Sequence, residues 1–260
     1  MVLNVHRWGE AAEGCVVCVH GLTQHGGVFA ELAARLAAAG RSVLAVDLRG
    51  HGESSRNPPW SQEAHVDDLF ETLAAHGVRR TSWIGHSFGG RLAAAAAARR
   101  SDPGTRLAML EPGLSVPPEL ALRSAETERL DWSFATIDGA VEALLAAPTV
   151  LSAPREVVRA FVAGDVRRGA DGRFRFRFSP AAAVVAWSEM TLPAPPVADC
   201  PTLLLKGSAS AGDPDTLARY SEALGPRLSL AEVPHGHNML WEAPRETAEA
   251  IERFLGSAAT

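Results

Sequence analysis

Ser87 is the first residue in this sequence whose neighbours suggest a chemistry: Gly85-His86-Ser87-Phe88-Gly89 fits the pattern G-x-S-x-G. A serine in that setting sits on a sharp strand-to-helix turn that small neighbours permit, and its hydroxyl projects from a sheet edge as a nucleophile. A hydroxyl at its free pKa is a poor nucleophile, so a base must lie within hydrogen-bond reach, and imidazole is the usual one near neutral pH. Of the nine histidines, His237 in Pro234-His235-Gly236-His237-Asn238-Met239 follows an apolar strand pattern and precedes a helical one, in a loop expected at the same edge. His235 is its competitor, and His86 reads as a packing residue of the turn. A developing oxyanion needs two converging N–H donors. Phe88, at the start of a helix, offers one. Leu22 in His20-Gly21-Leu22-Thr23 offers the other, with Gly21 expected to let the backbone turn that amide inward; an ordinary strand end is the alternative reading. Together these groups suit acyl transfer through a covalent serine intermediate.

The elements that must position them alternate along the chain. Apolar strand patterns at Cys15–Val19, Ser42–Val46, Thr81–Ile84, Arg106–Leu110, Thr202–Leu205 and Leu228–Val233 are separated by helical patterns at 28–39, 61–75, 88–100 and 214–224, with a last helix at 244–255. Strand and helix in alternation predict an α/β fold with a parallel sheet. Between about 112 and 190 the alternation fails: Pro, Gly and Ser punctuate helical fragments, and apolar runs of strand type are missing. The expected division is therefore a core of 1–111 and 191–260 with an inserted cap or lid at 112–190.

Composition narrows the function classes. The 260 residues are 47% hydrophobic and 21% charged with net charge −5, which is globular and excludes disorder. Net acidity with scattered basic residues argues against nucleic acid as a partner. There is no run of about 18 apolar residues and no signal-peptide pattern, so a cytoplasmic protein without a membrane span is expected. Cys15 and Cys18 form C-x-x-C, but inside a strand their thiols would face opposite sides, which disfavours metal or redox use.

His20-Gly21, Asp47-Leu-Arg-Gly-His-Gly-Glu-Ser54, Gly85-His-Ser-Phe-Gly89 and Gly236-His237 resemble the α/β-hydrolase superfamily over nearly the whole chain. The resemblance implies an eight-stranded, mostly parallel sheet flanked by helices, a Ser-acid-His triad, no cofactor or metal, and a variable cap inserted after the sixth strand. With Ser87 where dehalogenases and epoxide hydrolases carry Asp, the chain is similar to the esterase, lipase and C–C hydrolase branch. Most members place the acid a few residues past a Gly in the loop matching Lys206-Gly-Ser-Ala-Ser-Ala-Gly-Asp213, where Ala211 stands at the usual place. Asp213, before Pro214, has the form of a helix N-cap. Glu111, directly after the preceding strand and at the same edge as Ser87 and His237, is the favoured acid, with Asp213 the alternative; an exposed Glu before a Pro-Gly turn is the plain reading of Glu111. It would hold the far nitrogen of the imidazole and set its tautomer.

Gly172-Arg-Phe-Arg-Phe-Arg-Phe178 alternates with period two, so an extended segment would turn Phe174, Phe176 and Phe178 inward and Arg173, Arg175 and Arg177 to water. An anion-binding strip is the sharper alternative. Trp132, Phe134, Trp187 and Met190 add bulk consistent with a lid over an apolar pocket. The expected activity is hydrolysis of a small, largely apolar carboxylic ester. C–C bond hydrolysis, perhydrolysis and a weakly catalytic ligand sensor are the alternatives, and the sequence is silent on oligomeric state.

Overall fold

Short apolar runs become strands because both their faces are covered, and the computed structural model, which describes residues 1–10, 14–146, 153–210, 214–234 and 236–256, shows how. The core elements in chain order begin with β1 (Val5–Trp8), β2 (Gly14–Val19), α1 (Ala30–Ala38), β3 (Val43–Val46), α2 (Gln62–Ala75), β4 (Arg80–His86), α3 (Phe88–Arg99) and β5 (Leu107–Leu110). The intervening segment folds as α4 (Pro118–Glu128), β6 (Ser133–Phe134), α5 (Ile137–Leu145), α6 (Arg155–Asp165), β7 (Val166–Arg168), β8 (Phe174–Phe176) and α7 (Pro180–Glu189). The core closes with β9 (Thr202–Gly207), α8 (Pro214–Leu224), β10 (Leu228–Val233), α9 (Met239–Glu242) and α10 (Pro244–Gly256).

The main sheet runs β1-β3-β2-β4-β5-β9-β10, parallel throughout except for β1, which pairs antiparallel with β3. Along β2, Cys15, Val17 and Val19 enter the layer that holds Leu69, Leu73 and Leu92 of α2 and α3. Val16 and Cys18 enter the other, with Leu32 and Leu36 of α1 and Ile251 and Phe254 of α10. The two thiols therefore lie on opposite faces, as period two requires. Both are free and buried.

The expected eight strands are corrected to seven among the described residues. Residues ahead of β1 bond to side chains and form no further strand: the Leu3 N–H donates to Thr72 Oγ1 (2.9 Å) and the Asn4 N–H to Ser54 Oγ (2.9 Å). The inserted segment accordingly follows the fifth strand in chain order, where the sixth was expected. It also holds strands, of which only β8 falls in a segment the sequence suggested as extended. β6, β8 and β7 form a small antiparallel sheet; all three are too short to register as apolar runs, and β7 and β8 are also rich in arginine.

Both ends of the insertion meet α3. Arg91, fully buried, donates to the carbonyls of Leu114 at the first stem and of Leu192 (3.3 Å) and Pro193 (2.9 Å) at the second. The Val116 N–H donates to the Met190 carbonyl (2.9 Å), stem to stem. Elsewhere the insertion binds the loop after β3, through Gly52 N–H to Arg177 O and Ser179 N–H to Gly50 O, each 2.7 Å, and through Glu53, which pairs with Arg167 and Arg177. Phe176 and Phe178 are buried and Phe174 half-buried, while Arg173 and Arg175 are exposed, the alternation expected of an extended segment. Arg177, expected in water, is corrected to a largely buried side chain held against Glu53 and His25.

Candidate active site

Sheet register brings the site to one edge. Val19 lies opposite Gly85, His86 opposite Leu110, and Leu110 opposite Leu205, so the residues after β2, β4, β5 and β9 emerge side by side at the strands' carboxyl ends. Ser87 is the turn residue between β4 and α3, with φ 54° and ψ −120°. The flanking glycines are demanded by space: a Cβ on Gly85 would stand 2.3 Å from the Gly89 carbonyl oxygen, and one on Gly89 would stand 2.2 Å from that of Val19. The Ser87 N–H donates to the Leu110 carbonyl (2.9 Å), and the Ser87 carbonyl accepts from Gly90 (2.9 Å) and Gly113 (3.0 Å), tying the turn to the loop after β5.

Glu111 opens that loop. It is the second non-glycine residue of the described chain in the left-handed region, with φ 45°, and Ser87 is the first. Such strain persists only where surroundings over-determine it and clusters at functional sites. The Glu111 carboxylate accepts the Gly207 N–H on Oε1 (2.8 Å) and the Ser210 hydroxyl on Oε2 (2.9 Å). His237 Nδ1 stands 3.8 Å from Oε2, an ion-pair separation longer than a hydrogen bond. Burial pushes the Glu111 carboxyl up, but His237, the Gly207 amide and Ser210 outweigh it and hold the group below the usual carboxylate range.

His237 is held by its backbone. Its carbonyl accepts from His86 Nε2 (2.8 Å), and the two imidazoles lie 4.9 Å apart between centroids. His86 thus does more than pack. Fully buried, it is pushed down to about 3 by desolvation, with His237 adding to the effect, and is neutral near neutral pH. Its Nδ1 lies 3.0 Å from the side-chain amide of Gln24, whose Oε1 accepts the Gly21 N–H (3.1 Å). Gln24 was missed in the sequence because its partner lies 62 residues away. Among the described residues the Ser87 hydroxyl makes no protein hydrogen bond, so both the Ser–His and the His–Glu links are open here. Catalytic hydrogen bonds are commonly long in unliganded enzymes and tighten around substrate. Asp213 and His235 lie outside the described residues.

The Leu22 turn is built from the motif after β3. The Leu22 carbonyl accepts from His51 Nε2 (2.6 Å), and His20 accepts the Leu48 N–H on Nε2 (2.9 Å), leaving its Nδ1–H to donate to the Gly21 carbonyl (2.7 Å). Gly21 is required for close approach, not for backbone freedom: its φ is ordinary, and a Cβ there would meet His86 Nδ1 at 2.9 Å. Phe88 is fully buried at the first turn of α3, its ring edge-on to His65.

Asp47 holds the neighbouring loop. Fully buried, it accepts from Asn4 Nδ2 (2.8 Å), His6 Nε2 (2.9 Å), Gly26 N–H (2.8 Å) and Glu53 N–H (2.9 Å). Desolvation raises its pKa, but the His6 bond, the Glu53 amide, the nearby His20 and the Gly26 amide together hold it well below the usual range. A depressed folded pKa means the charge stabilises the fold above the unfolded value near pH ~4, and that gain is lost as pH falls through the folded value. Asp47→Asn is expected to cost about 3 kcal/mol at neutral pH, with the gap to the parent narrowing below pH ~4 in urea unfolding; a gap independent of pH would deny the charge this role. The ligand atoms of His6, His25 and Asp47 lie within 4.8 Å of one another. His25 Nδ1 already accepts the Gly27 N–H (3.1 Å), so this set reads as a hydrogen-bond hub and not as a metal centre.

Two hollows differ in relevance. One of about 460 Å³, lined by Ala74, Val78, Arg79 and Arg100, lies where β4 begins, at the edge opposite Ser87. The other, about 80 Å³, is lined by Thr23 beside the Leu22 turn and by aromatic residues of the insertion. No helix among the described residues is long and apolar enough to cross a membrane.

A sheet of this order with a serine at its strand-to-helix turn defines the α/β-hydrolase class, and the family described as alpha/beta hydrolase fold matches residues 14–244. The chain belongs to that family. It is similar to Lipase LipV of Mycobacterium tuberculosis, 30% identical over 273 residues and 98% of each chain, and to Esterase YbfF of Escherichia coli, 28% identical over 82% of each. Among solved structures, E-2-(acetamidomethylene)succinate hydrolase superposes with a TM-score of 0.81 at 25% identity, covering 98% of this chain and 95% of that one. A marine microorganism esterase superposes at 0.79 and 21% identity over 97% and 99%, a likeness of fold.

Proposed function

We propose that the protein is a serine hydrolase cleaving small, largely apolar carboxylic esters through an acyl-enzyme. The observation that carries this reading is the pair of strained residues, Ser87 and Glu111, at one sheet edge with His237 beside the Glu111 carboxylate. Ser87 Oγ attacks the ester carbonyl as His237 Nε2 takes its proton, and the Leu22 and Phe88 amides receive the oxyanion. His237 then protonates the departing alcohol, and water, deprotonated by the same imidazole, releases the acid. Glu111, held by Gly207 and Ser210, fixes the imidazole from its Nδ1 side. Residues 112–190 serve as the cap over this edge, their aromatic residues enclosing the apolar part of the ester.

The open Ser–His and His–Glu links are what a non-catalytic ligand sensor on this fold would also have. A fluorophosphonate probe and a short-chain p-nitrophenyl ester separate the two. The expected result is covalent labelling at Ser87, located by peptide mass, together with release of nitrophenol. A protein that is neither labelled nor active is a sensor.

A further inference from the structure

Glu128 breaks a local rule without compensation from the protein. It is the last residue of α4, where the helix dipole disfavours an anion. Its Oε2 is buried and makes no hydrogen bond, and the Trp187 indole N–H approaches it without closing one. Burial pushes the carboxyl up to about 7, with Trp187 drawing it down, and no cation of the described protein acts on it. Buried charges are ordinarily paired. The residue lines the cavity of about 80 Å³ together with Trp132, Phe161, Phe176 and Phe178.

These rings are held by partners other than any ligand. The Trp132 Nε1–H donates to the Thr127 carbonyl (3.1 Å), and Trp132 stands edge-on to Phe176 with centroids 6.3 Å apart. Phe161 stacks on Trp241 at 4.8 Å, and Phe178 lies against His51 at 6.5 Å. Aromatic rings lining a hollow beside one half-buried carboxylate with no cationic partner suit an organic cation, which gains from the ring quadrupoles as well as the opposite charge. An apolar group would leave the carboxyl unsatisfied, and an anion would be repelled. The hollow has room for a small methylated head. Thr23, one residue past Leu22, places this cavity next to the proposed oxyanion donors.

We propose that Glu128 and the rings of Trp132, Phe161, Phe176 and Phe178 form a subsite for a small alkylammonium group carried by the ester, the rest of which is apolar. The proposal rests on the esterase reading for its catalytic consequence and on the cavity alone for binding, so its test has two arms.

In the first arm, 2-(dimethylamino)ethyl acetate, protonated near neutral pH, is compared with its neutral isostere 3-methylbutyl acetate. The parent is expected to favour the cation by about tenfold in kcat/KM. Glu128→Gln is expected to lower kcat/KM for the cationic ester about tenfold more than for the neutral one. A parent ratio at or below one, or an equal loss on both esters, overturns the subsite. In the second arm, trimethylammonium chloride is titrated by calorimetry into Ser87→Ala and into Ser87→Ala with Glu128→Gln. Saturable binding to the first and its loss in the second support the subsite even if Ser87 resists the fluorophosphonate, in which case only the esterase reading fails. Labelling of Ser87 with no trimethylammonium binding leaves the esterase and removes the subsite.

Discussion

Ser87→Ala is expected to lower turnover of a short-chain p-nitrophenyl ester by about 10⁶-fold, the scale on which removal of a triad nucleophile disables the whole unit. The residual rate reports whatever the Leu22 and Phe88 amides and substrate binding supply alone. Stability should not follow activity. Ser87 holds φ 54°, a conformation that costs a non-glycine residue about 1–3 kcal/mol. Ser87→Gly is therefore expected to be as inactive as Ser87→Ala and more stable than the parent by about 1 kcal/mol, read from urea unfolding. An active Ser87→Ala would place the nucleophile elsewhere and leave the strained turn without a chemical purpose.

The second large effect concerns the acid. Glu111→Gln keeps the shape of the side chain, and its amide oxygen can still accept the Gly207 N–H, so the fold should hold. What it loses is the charge facing Nδ1 of His237, and loss of that orienting carboxylate in such triads lowers kcat by about 10⁴-fold. Asp213→Asn is expected to stay near the parent rate. The reverse pair of results would transfer the role to Asp213, and two mild variants would mean that neither carboxylate orients the base.

Local signals in the sequence reach the elements, and pairings between distant residues escape it. The pentapeptide around Ser87 was legible because G-x-S-x-G between an apolar run and an alanine-rich run has few foldings open to it, and the helical pattern at 61–75 became α2. β1 was not anticipated: Val5-His6-Arg7-Trp8 is a half-buried edge strand with no continuous apolar run. The arginine-rich β7 and β8 stayed hidden as a sheet for the same reason, although the alternation from Phe174 to Phe178 pointed to an extended segment where β8 lies. Glu111 could be placed at an edge from the strand before it. Its cradle of Gly207 and Ser210 lies 96 and 99 residues away, and no spacing rule connects such groups. Gln24, which joins the Gly21 amide to His86, escaped notice for the same reason.

Arg91 bears on how such a chain diversifies. One buried guanidinium donates to the carbonyls of Leu114, Leu192 and Pro193, so the two points at which the polypeptide leaves and rejoins the core are fastened to a single anchor on α3. The interval between them can therefore lengthen, shrink or be exchanged as a module while the scaffold beneath keeps its register. Under the proposed cap reading, a short turn joining the two anchored ends would leave the Ser87 edge of the sheet open to far bulkier molecules.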